Sequence, residues 1–558
     1  MPASTVHLVI IHHGLWGTPA NTEYLTTTLA KFHGGTVSPS TTLTPPESLS
    51  TIAALAETHP NAARGHVRMV VLNSAANAGD QTYDGVDWCG ERLVKEMYAE
   101  VARLETDEGA TVGRVSLIGY SLGGLVVRYA AGALYADGFF AGGKGGKLGF
   151  KSRPVAASLS TIATPHMGVT VSGSMFSRVA ASVATKNLGR SGKQLYLADR
   201  GWVPPSSNSE ENGKDEGLCL IEALSDPRFT FLTALRTFER IDIYANAIAD
   251  LTVSYRTAAF EPHDPFLLPS HLDLERDPTC APLLVSYAAA ASLPPTKPLW
   301  RRMAARLSPS NLPWMLNPQR FPFRFPLNYL ALVCLPVLLP VMLGLVLHKL
   351  RSDSKVSNKR VEAFEAVWAE ENGLVPPSAE EEEEEEEADG ESDASSKAKL
   401  GRKRDAKSNT VVDRATRSEW ERKRISNLLA AVEAEAEEAL REVGEDYVAT
   451  SPTTTTTTTI PDDDDDTRYT PRPNTATKCL SPAASLRISP EEHPLLDIQH
   501  RILANLNNRA LLPQVKKHLA HFDNVLNAHA VIIVRTSTMH MHRKGMPLIK
   551  AFVERFGL

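Results

Sequence analysis

Arg114-Val-Ser-Leu-Ile-Gly-Tyr-Ser-Leu-Gly-Gly-Leu-Val-Val-Arg-Tyr129 joins two different hydrophobic periodicities. Val115 to Ile118 is a short apolar run that reads as a buried parallel strand. Leu122 to Ala133 reads as a helix with Leu125, Val126, Tyr129 and Ala133 on one face. Between them stands Gly119-Tyr120-Ser121-Leu122-Gly123, a G-x-S-x-G pattern. Reversal from strand to helix in so few residues forces Ser121 into strained backbone geometry. Gly119 and Gly123 remove the side chains that neighbouring segments would strike. The five-residue pattern is common by itself, so the strand before it and the helix after it carry the reading of Ser121 as a nucleophile.

Moving towards the N-terminus, Val6 to Ile11 has the pattern of a second buried strand and ends in His13-Gly14-Leu15-Trp16-Gly17. Gly14 and Gly17 let the chain turn there. The N–H of Leu15 is then a candidate donor to a substrate oxyanion, beside the N–H of Leu122 that directly follows the serine. Val67–Leu72, before the serine, and Ala156–Ile162 and Arg240–Asn246, after it, read as further strands. Glu23–Lys31 and Gly90–Thr106 read as amphipathic helices. This alternation predicts a doubly wound, mostly parallel α/β sheet. Asp84 and Asp87 precede the serine in a turn and read as structural or entrance carboxylates. His13, Trp16, Tyr120 and His166 are candidates for lining a pocket. Residues 169–235, with mixed polarity, occupy the place where a cap is inserted. Asp250 follows the strand Arg240–Asn246 in a loop, a placement suited to orienting a histidine and stabilising its charged form. Asp242 falls inside that strand, and Asp264 in a loop bounded by prolines.

The chain has 558 residues, an ordinary apolar fraction of 42% and a formal net charge of −6, and nothing in these suggests nucleic-acid binding as the main task. Its five cysteines (Cys89, Cys219, Cys280, Cys334 and Cys479) are scattered and lack C-x-x-C spacing, against a disulfide framework or a zinc site. Val6–Ile11 is too short for a secretory leader and runs straight into His12-His13-Gly14, so a protein that is not secreted is expected.

Taken as an ordered set, six stretches resemble the DUF676 serine-esterase family of α/β-hydrolases, its fungal lipase-like members in particular. They are His13–Gly17, Thr82-Tyr-Asp-Gly-Val-Asp87, Gly119–Gly124, Ala163-Thr-Pro-His-Met-Gly168, Tyr244-Ala-Asn246 with Asp250, and Asn527-Ala-His-Ala-Val-Ile-Ile-Val-Arg535. The resemblance spans residues 5–265 and 490–558, and departs locally at Ser254, where members often carry proline. It implies an α/β-hydrolase fold and a serine lipase acting on glycerolipids from the cytosolic side. The order nucleophile, acid, histidine of that fold places the base after Asp250 and therefore not at His166. On the residues alone the base stays open. His529 falls in the loop after Val515–Phe522, read as the last strand, whereas His540 and His542 would follow if Val531–Val534 were the last strand. His521 would lie within a strand. The resemblance favours His529.

Phe325 to Leu347 is almost wholly apolar, about 23 residues where about 20 suffice to span a bilayer. A simple span would separate Asp250 from His529. Pro336 and Pro340, with basic residues at both ends, point to a membrane-associated hairpin or in-plane segment within 301–351, on a membrane or lipid-droplet monolayer. Residues 352–488 hold acidic runs at Glu380–Glu387 and Asp462–Asp466 and a threonine run at Thr453–Thr459. They read as a largely disordered insertion with one helix near 413–443. The expected organisation is a hydrolase domain over 1–300 completed by 489–558. The expected activity is acyl-ester hydrolysis of phospholipid, lysophospholipid or monoacylglycerol through Ser121, Asp250 and His529, with no metal and no cofactor. The expected location is the cytosolic face of the endoplasmic reticulum or a lipid droplet. A lipid-anchor deacylase and a catalytically silent membrane-tethering scaffold are the other readings of these residues.

Overall fold

The computed structural model describes residues 5–39, 67–141, 151–170, 175–202, 217–290, 327–371, 494–525 and 527–556. Their strands are β1 Thr5–His12, β2 Thr36–Val37, β3 Val67–Asn73, β4 Thr111–Tyr120, β5 Val155–Ile162, β6 Arg240–Asn246, β7 Leu272–Asp277, β8 Cys280–Ala289 and β9 Val515–Ala520. They form one sheet in the order β2-β3-β1-β4-β5-β6-β9-β8-β7. From β2 to β9 the pairings are parallel; β8 joins β9, and β7 joins β8, antiparallel.

The central strands are largely buried and rich in Val, Leu and Ile because both faces of a parallel sheet are covered, and the polar residues they bury include His7, Ser116 and Ser158, which hydrogen-bond across β1, β4 and β5. In β1, Val6, Leu8 and Ile10 enter one core, while Val9 and Ile11 enter the other. The first core packs the helices Val86–Thr106, Leu122–Ala136 and Thr230–Thr237 on one face. The second packs Glu23–Phe32 and Met546–Arg555 on the opposite face. Each fully buried Leu or Ile at these positions stabilises the fold by about 1.5–3 kcal/mol. The doubly wound α/β sheet expected from the alternation is therefore present. The β7–β8 hairpin at its edge was not foreseen.

Two expectations about the later chain change. Residues Leu327–Glu371 form one continuous helix through Pro336 and Pro340, not a returning hairpin. A proline inside a helix removes one backbone bond and bends the axis, and two of them four residues apart do not supply the irregular residues a reversal requires. The same helix occupies 352–371, at the start of the segment read as disordered, where it packs on the domain through Ser357, Arg360 and Phe364. Among the described residues no helix is long and apolar enough to cross a membrane. The acidic and threonine runs and the helix near 413–443 lie outside the described residues. Of the stretch read as a cap, Thr230–Thr237 instead packs against Leu122–Ala136 as an ordinary crossover helix; Met175–Asn187 and Gly189–Leu195 lie against the long helix.

The loops after β1, β4, β6 and β9 leave the same edge of the parallel sheet, because parallel strands end together. In open α/β sheets this carboxyl edge is where ligands bind.

Candidate active site

Ser121 sits between β4 and the helix Leu122–Ala136 with φ 55° and ψ −127°, in backbone space that a non-glycine residue seldom occupies. Such a conformation costs about 1–3 kcal/mol and persists only where the surroundings hold it. Here the Ser121 N–H donates to the Ile162 carbonyl at 2.8 Å and the Gly124 N–H to the Ser121 carbonyl at 3.0 Å. The turn also needs close backbone approach. A Cβ on Gly123 would lie 2.4 Å from the carbonyl oxygens of both His12 and His13, and one on Gly119 equally close to the Gly123 carbonyl. These contacts bring the loop after β1 directly against the serine.

Gly14 completes that approach, since a Cβ there would stand 2.7 Å from Ser121 Cβ and 3.1 Å from Oγ. Gly14→Ala is expected to lower kcat on a soluble ester about a hundredfold by displacing Oγ, with far-ultraviolet circular dichroism unchanged. Wild-type kcat in that variant would show that the loop yields without moving the serine.

His529 lies 408 residues further on, at the start of the short helix Ala528–Val531, after β9. Its Nε2 is 3.0 Å from Ser121 Oγ, and its Nδ1 is 3.0 Å from Asp250 Oδ2. An ionised carboxylate only accepts, so Nδ1 carries the proton that faces Asp250, and the Nε2 lone pair faces the hydroxyl. Asp250 is held in turn. The Thr252 and Val253 N–H groups donate to its Oδ1 at 2.9 and 2.8 Å, and the Asn246 side-chain amide donates to Oδ2 at 2.7 Å. Burial alone would raise its pKa, but the His529 charge and these hydrogen bonds outweigh burial and lower it, so Asp250 remains a carboxylate.

The base and acid loops are also tied to each other, through residues to which the sequence reading assigned no role. Asn527 Oδ1 accepts from the N–H groups of His529 and Leu251 at 3.2 and 3.3 Å, and the Ala528 N–H donates to the Ala249 carbonyl at 2.7 Å. The sequence signals for Asn527 were its place at the head of the sixth family-like stretch and the preference of asparagine for the position preceding a helix.

The other candidates take different places. Asp242 pairs with Arg240 and His518 at 2.6 and 3.0 Å, and Asp264 accepts from the Phe266 N–H. His521 meets Arg276, His540 is exposed, and His542 Nδ1 accepts from the Thr536 N–H at 3.0 Å. Val531–Val534 is not a strand. Asp84 and Asp87 are bound to arginines: Asp84 accepts from Arg92 at 2.8 Å and Asp87 from Arg190 at 2.7 Å.

Three of the four pocket candidates prove to be interior groups. His13 is fully buried, its Nδ1–H donates to the Gly14 carbonyl at 3.1 Å, and burial pushes its pKa down to about 4. His166 is buried with Nδ1 beside Arg128 at 3.3 Å and Nε2 beside Thr161 Oγ1 at 2.9 Å. Tyr120 is buried, and its hydroxyl donates to the His529 carbonyl at 2.9 Å. Trp16 alone is at the surface, 54% exposed, beside Leu15 in the loop after β1. Leu122 opens its helix, so its N–H belongs to the first turn, whose donors lack partners within the helix.

Tyr120 thus holds the backbone of the residue whose ring must meet its neighbour Ser121. Tyr120→Phe is expected to destabilise the fold by about 1–2 kcal/mol in urea titration, because a buried carbonyl loses its donor. It is also expected to lower kcat several-fold. A variant as stable as wild type would show that water replaces the hydroxyl.

Residues 2–261 match the family model described as "Putative serine esterase (DUF676)", so the resemblance read from the motifs holds over that part of the chain. A protein of Schizosaccharomyces pombe named as a putative lipase is 28% identical over 193 residues, which are 35% of this chain and 22% of that protein. One of Saccharomyces cerevisiae, named likewise, is 28% identical over 200 residues, 35% of this chain and 24% of its own length. The matching region thus spans about a quarter of each relative. Among solved structures, phospholipase PlaB from Legionella pneumophila in complex with thio-NAD aligns with 13% identity and a TM-score of 0.22. That alignment covers 45% of this chain and 41% of the phospholipase.

Proposed function

We propose that this chain, a match to the DUF676 serine-esterase family over residues 2–261, is an α/β-hydrolase that cleaves acyl-ester bonds of glycerolipids at a lipid surface. The observation that carries the proposal is the unbroken line of hydrogen bonds from Ser121 through His529 to Asp250. In the reaction, Nε2 of His529 takes the hydroxyl proton as Ser121 Oγ attacks the ester carbonyl. Asp250 stabilises the imidazolium that forms. The Leu15 and Leu122 N–H groups serve as oxyanion donors, each contributing about 3–4 kcal/mol in the transition state. The imidazolium then protonates the departing alcohol, and water, deprotonated by His529, releases the fatty acid from Ser121.

Lipid substrates are favoured by apolar surface beside the site. Trp16 and Leu251, in the loops that carry the oxyanion donor and the acid, are 54% and 70% exposed. The apolar first half of the helix Leu327–Glu371 presents Val341, Leu345 and Val346 to solvent, an arrangement suited to lying in a monolayer at the cytosolic face of the endoplasmic reticulum or a lipid droplet.

Two measurements test this reading. Purified full-length protein should label with a fluorophosphonate at Ser121. It should also release fatty acid from vesicles of phosphatidylcholine or from dispersed monoacylglycerol faster than from an S-acylated peptide. No labelling of folded protein would make it a scaffold, and preference for the thioester would make it a deacylase of lipid anchors.

A further inference from the structure

The helix Leu327–Glu371 touches neither Ser121 nor His529 by any hydrogen bond among the described residues, yet it closes on the segment that braces the loop after β1. Ser357 Oγ donates to Asp84 Oδ1 at 2.6 Å. Arg360 donates to both Asp84 oxygens at 2.9 and 3.1 Å, and to the side chain and carbonyl of Asp80 at 3.0 Å each. Asp84 is wholly buried and takes a second guanidinium, that of Arg92, at 2.8 Å. A buried carboxylate in this position is tolerated only while such partners surround it.

From Asp84 two sets of contacts lead to the loop Gly14–Gly17. The first is direct. Thr82 Oγ1 accepts from the Trp16 N–H at 3.0 Å, the Tyr83 hydroxyl accepts from the Trp16 indole N–H at 2.6 Å, and the Gly79 N–H donates to the Gly17 carbonyl at 2.8 Å. The second passes through Arg92, which donates to Asn77 Oδ1 at 2.7 Å. The Asn77 amide faces His12 Nε2 at 2.9 Å, and His12 Nδ1 meets the His13 carbonyl at 2.8 Å. Trp16 itself is held at φ 58°, which a bulky residue keeps only when its neighbours over-determine it.

We propose that Arg360 and Ser357 are positioning residues for ester hydrolysis. Through Asp84 they clamp the segment Gly79–Asp84, which holds Trp16 in its strained conformation and so aims the adjacent Leu15 N–H at the developing oxyanion. The inference rests on the esterase reading and deepens it by making a helix more than two hundred residues beyond the nucleophile part of the oxyanion loop's support.

Steady-state hydrolysis of p-nitrophenyl butyrate by the full chain tests it. Arg360→Ala should lower kcat about tenfold with KM within about twofold of wild type, since the loop acts on the transition state and not on ground-state binding. Arg360→Lys should recover part of the loss, because an ammonium still reaches Asp84 but cannot span Asp80 as well. Thr82→Ala should lower kcat similarly, and the double variant Thr82→Ala/Arg360→Ala should be no slower than the slower single, because both break one set of contacts. A folded Arg360→Ala protein with wild-type kcat overturns the inference, as do losses that multiply in the double variant. Should Arg360→Ala fail to fold by thermal melting, Ser357→Ala and Arg360→Lys decide the matter by the same kcat comparison. Wild-type protein that neither hydrolyses the ester nor labels with fluorophosphonate would overturn the esterase reading itself, whereas an active wild type beside an equally active Arg360 variant overturns only this inference.

Discussion

Ser121→Ala is expected to lower kcat for ester hydrolysis about a millionfold, the scale of loss when the nucleophile of a Ser–His–Asp site is removed. The geometry requires so large an effect. Nε2 of His529 is 3.0 Å from Ser121 Oγ, and among the other described histidines and acids considered as candidates, none is bonded to that oxygen. Stability should fall by no more than about 1–2 kcal/mol, because alanine meets the same backbone strain at φ 55° and only the buried hydrogen bond to His529 is lost. Thermal melting and kcat should therefore separate cleanly. His529→Ala should lose about as much, and Ser121→Ala/His529→Ala should be no slower than either single, because the two groups act as one unit. An Ser121→Ala protein retaining even a hundredth of wild-type activity would place the nucleophile elsewhere.

Asp250→Asn carries the second large effect, a fall in kcat of about ten-thousandfold. An asparagine amide can donate to His529 Nδ1, which turns the imidazole to the tautomer whose Nε2 carries a proton and cannot accept one from Ser121. The substitution also has a signature in stability. Burial works against ionisation of Asp250, but the His529 charge and the hydrogen bonds from His529, Val253 and Asn246 lower its pKa below the ordinary 3.8. A group whose folded-state pKa is depressed stabilises the fold above its unfolded value, and that stabilisation is lost as pH falls through the folded value. The stability advantage of wild type over Asp250→Asn should therefore be constant above about pH 4. It should shrink as the pH is lowered further, in urea titrations at a series of pH values. An advantage that grows on acidification would contradict the assigned direction.

How much of this was legible in advance depended on the range of the interactions involved. The elbow at Ser121 is built from a strand, a sharp turn and a helix within Thr111–Ala136, so its steric demands appear as glycines at fixed offsets from the serine. Asp250 was legible for a related reason, being the acid in the loop directly after β6. His529 was harder. A four-residue helix has no periodicity to read, and His529, His540 and His542 are indistinguishable by local pattern. What separates them is Tyr120, 409 residues away, holding the His529 carbonyl, and Asn527 joining the base loop to the acid loop. Burial was the weakest of the sequence readings. His13, Tyr120 and His166 carry polar groups that suggest a pocket, yet all three are buried, and Tyr120 and His166 meet there the His529 carbonyl and Arg128, partners that no local window contains.

The sequence by itself determined the alternation of apolar strands and amphipathic helices, and hence a doubly wound sheet, together with the serine at its strained turn. These follow from periodicity and hard-sphere sterics, which act between near neighbours in the chain. Only the tertiary structure decided which histidine meets that serine, that Leu327–Glu371 continues as one helix past its two prolines, and that this helix seats Ser357 and Arg360 on Asp84. Those outcomes rest on a buried carboxylate finding its cations and on a base finding its acid across 279 residues. The energy that selects such pairings exists only once distant segments have packed together.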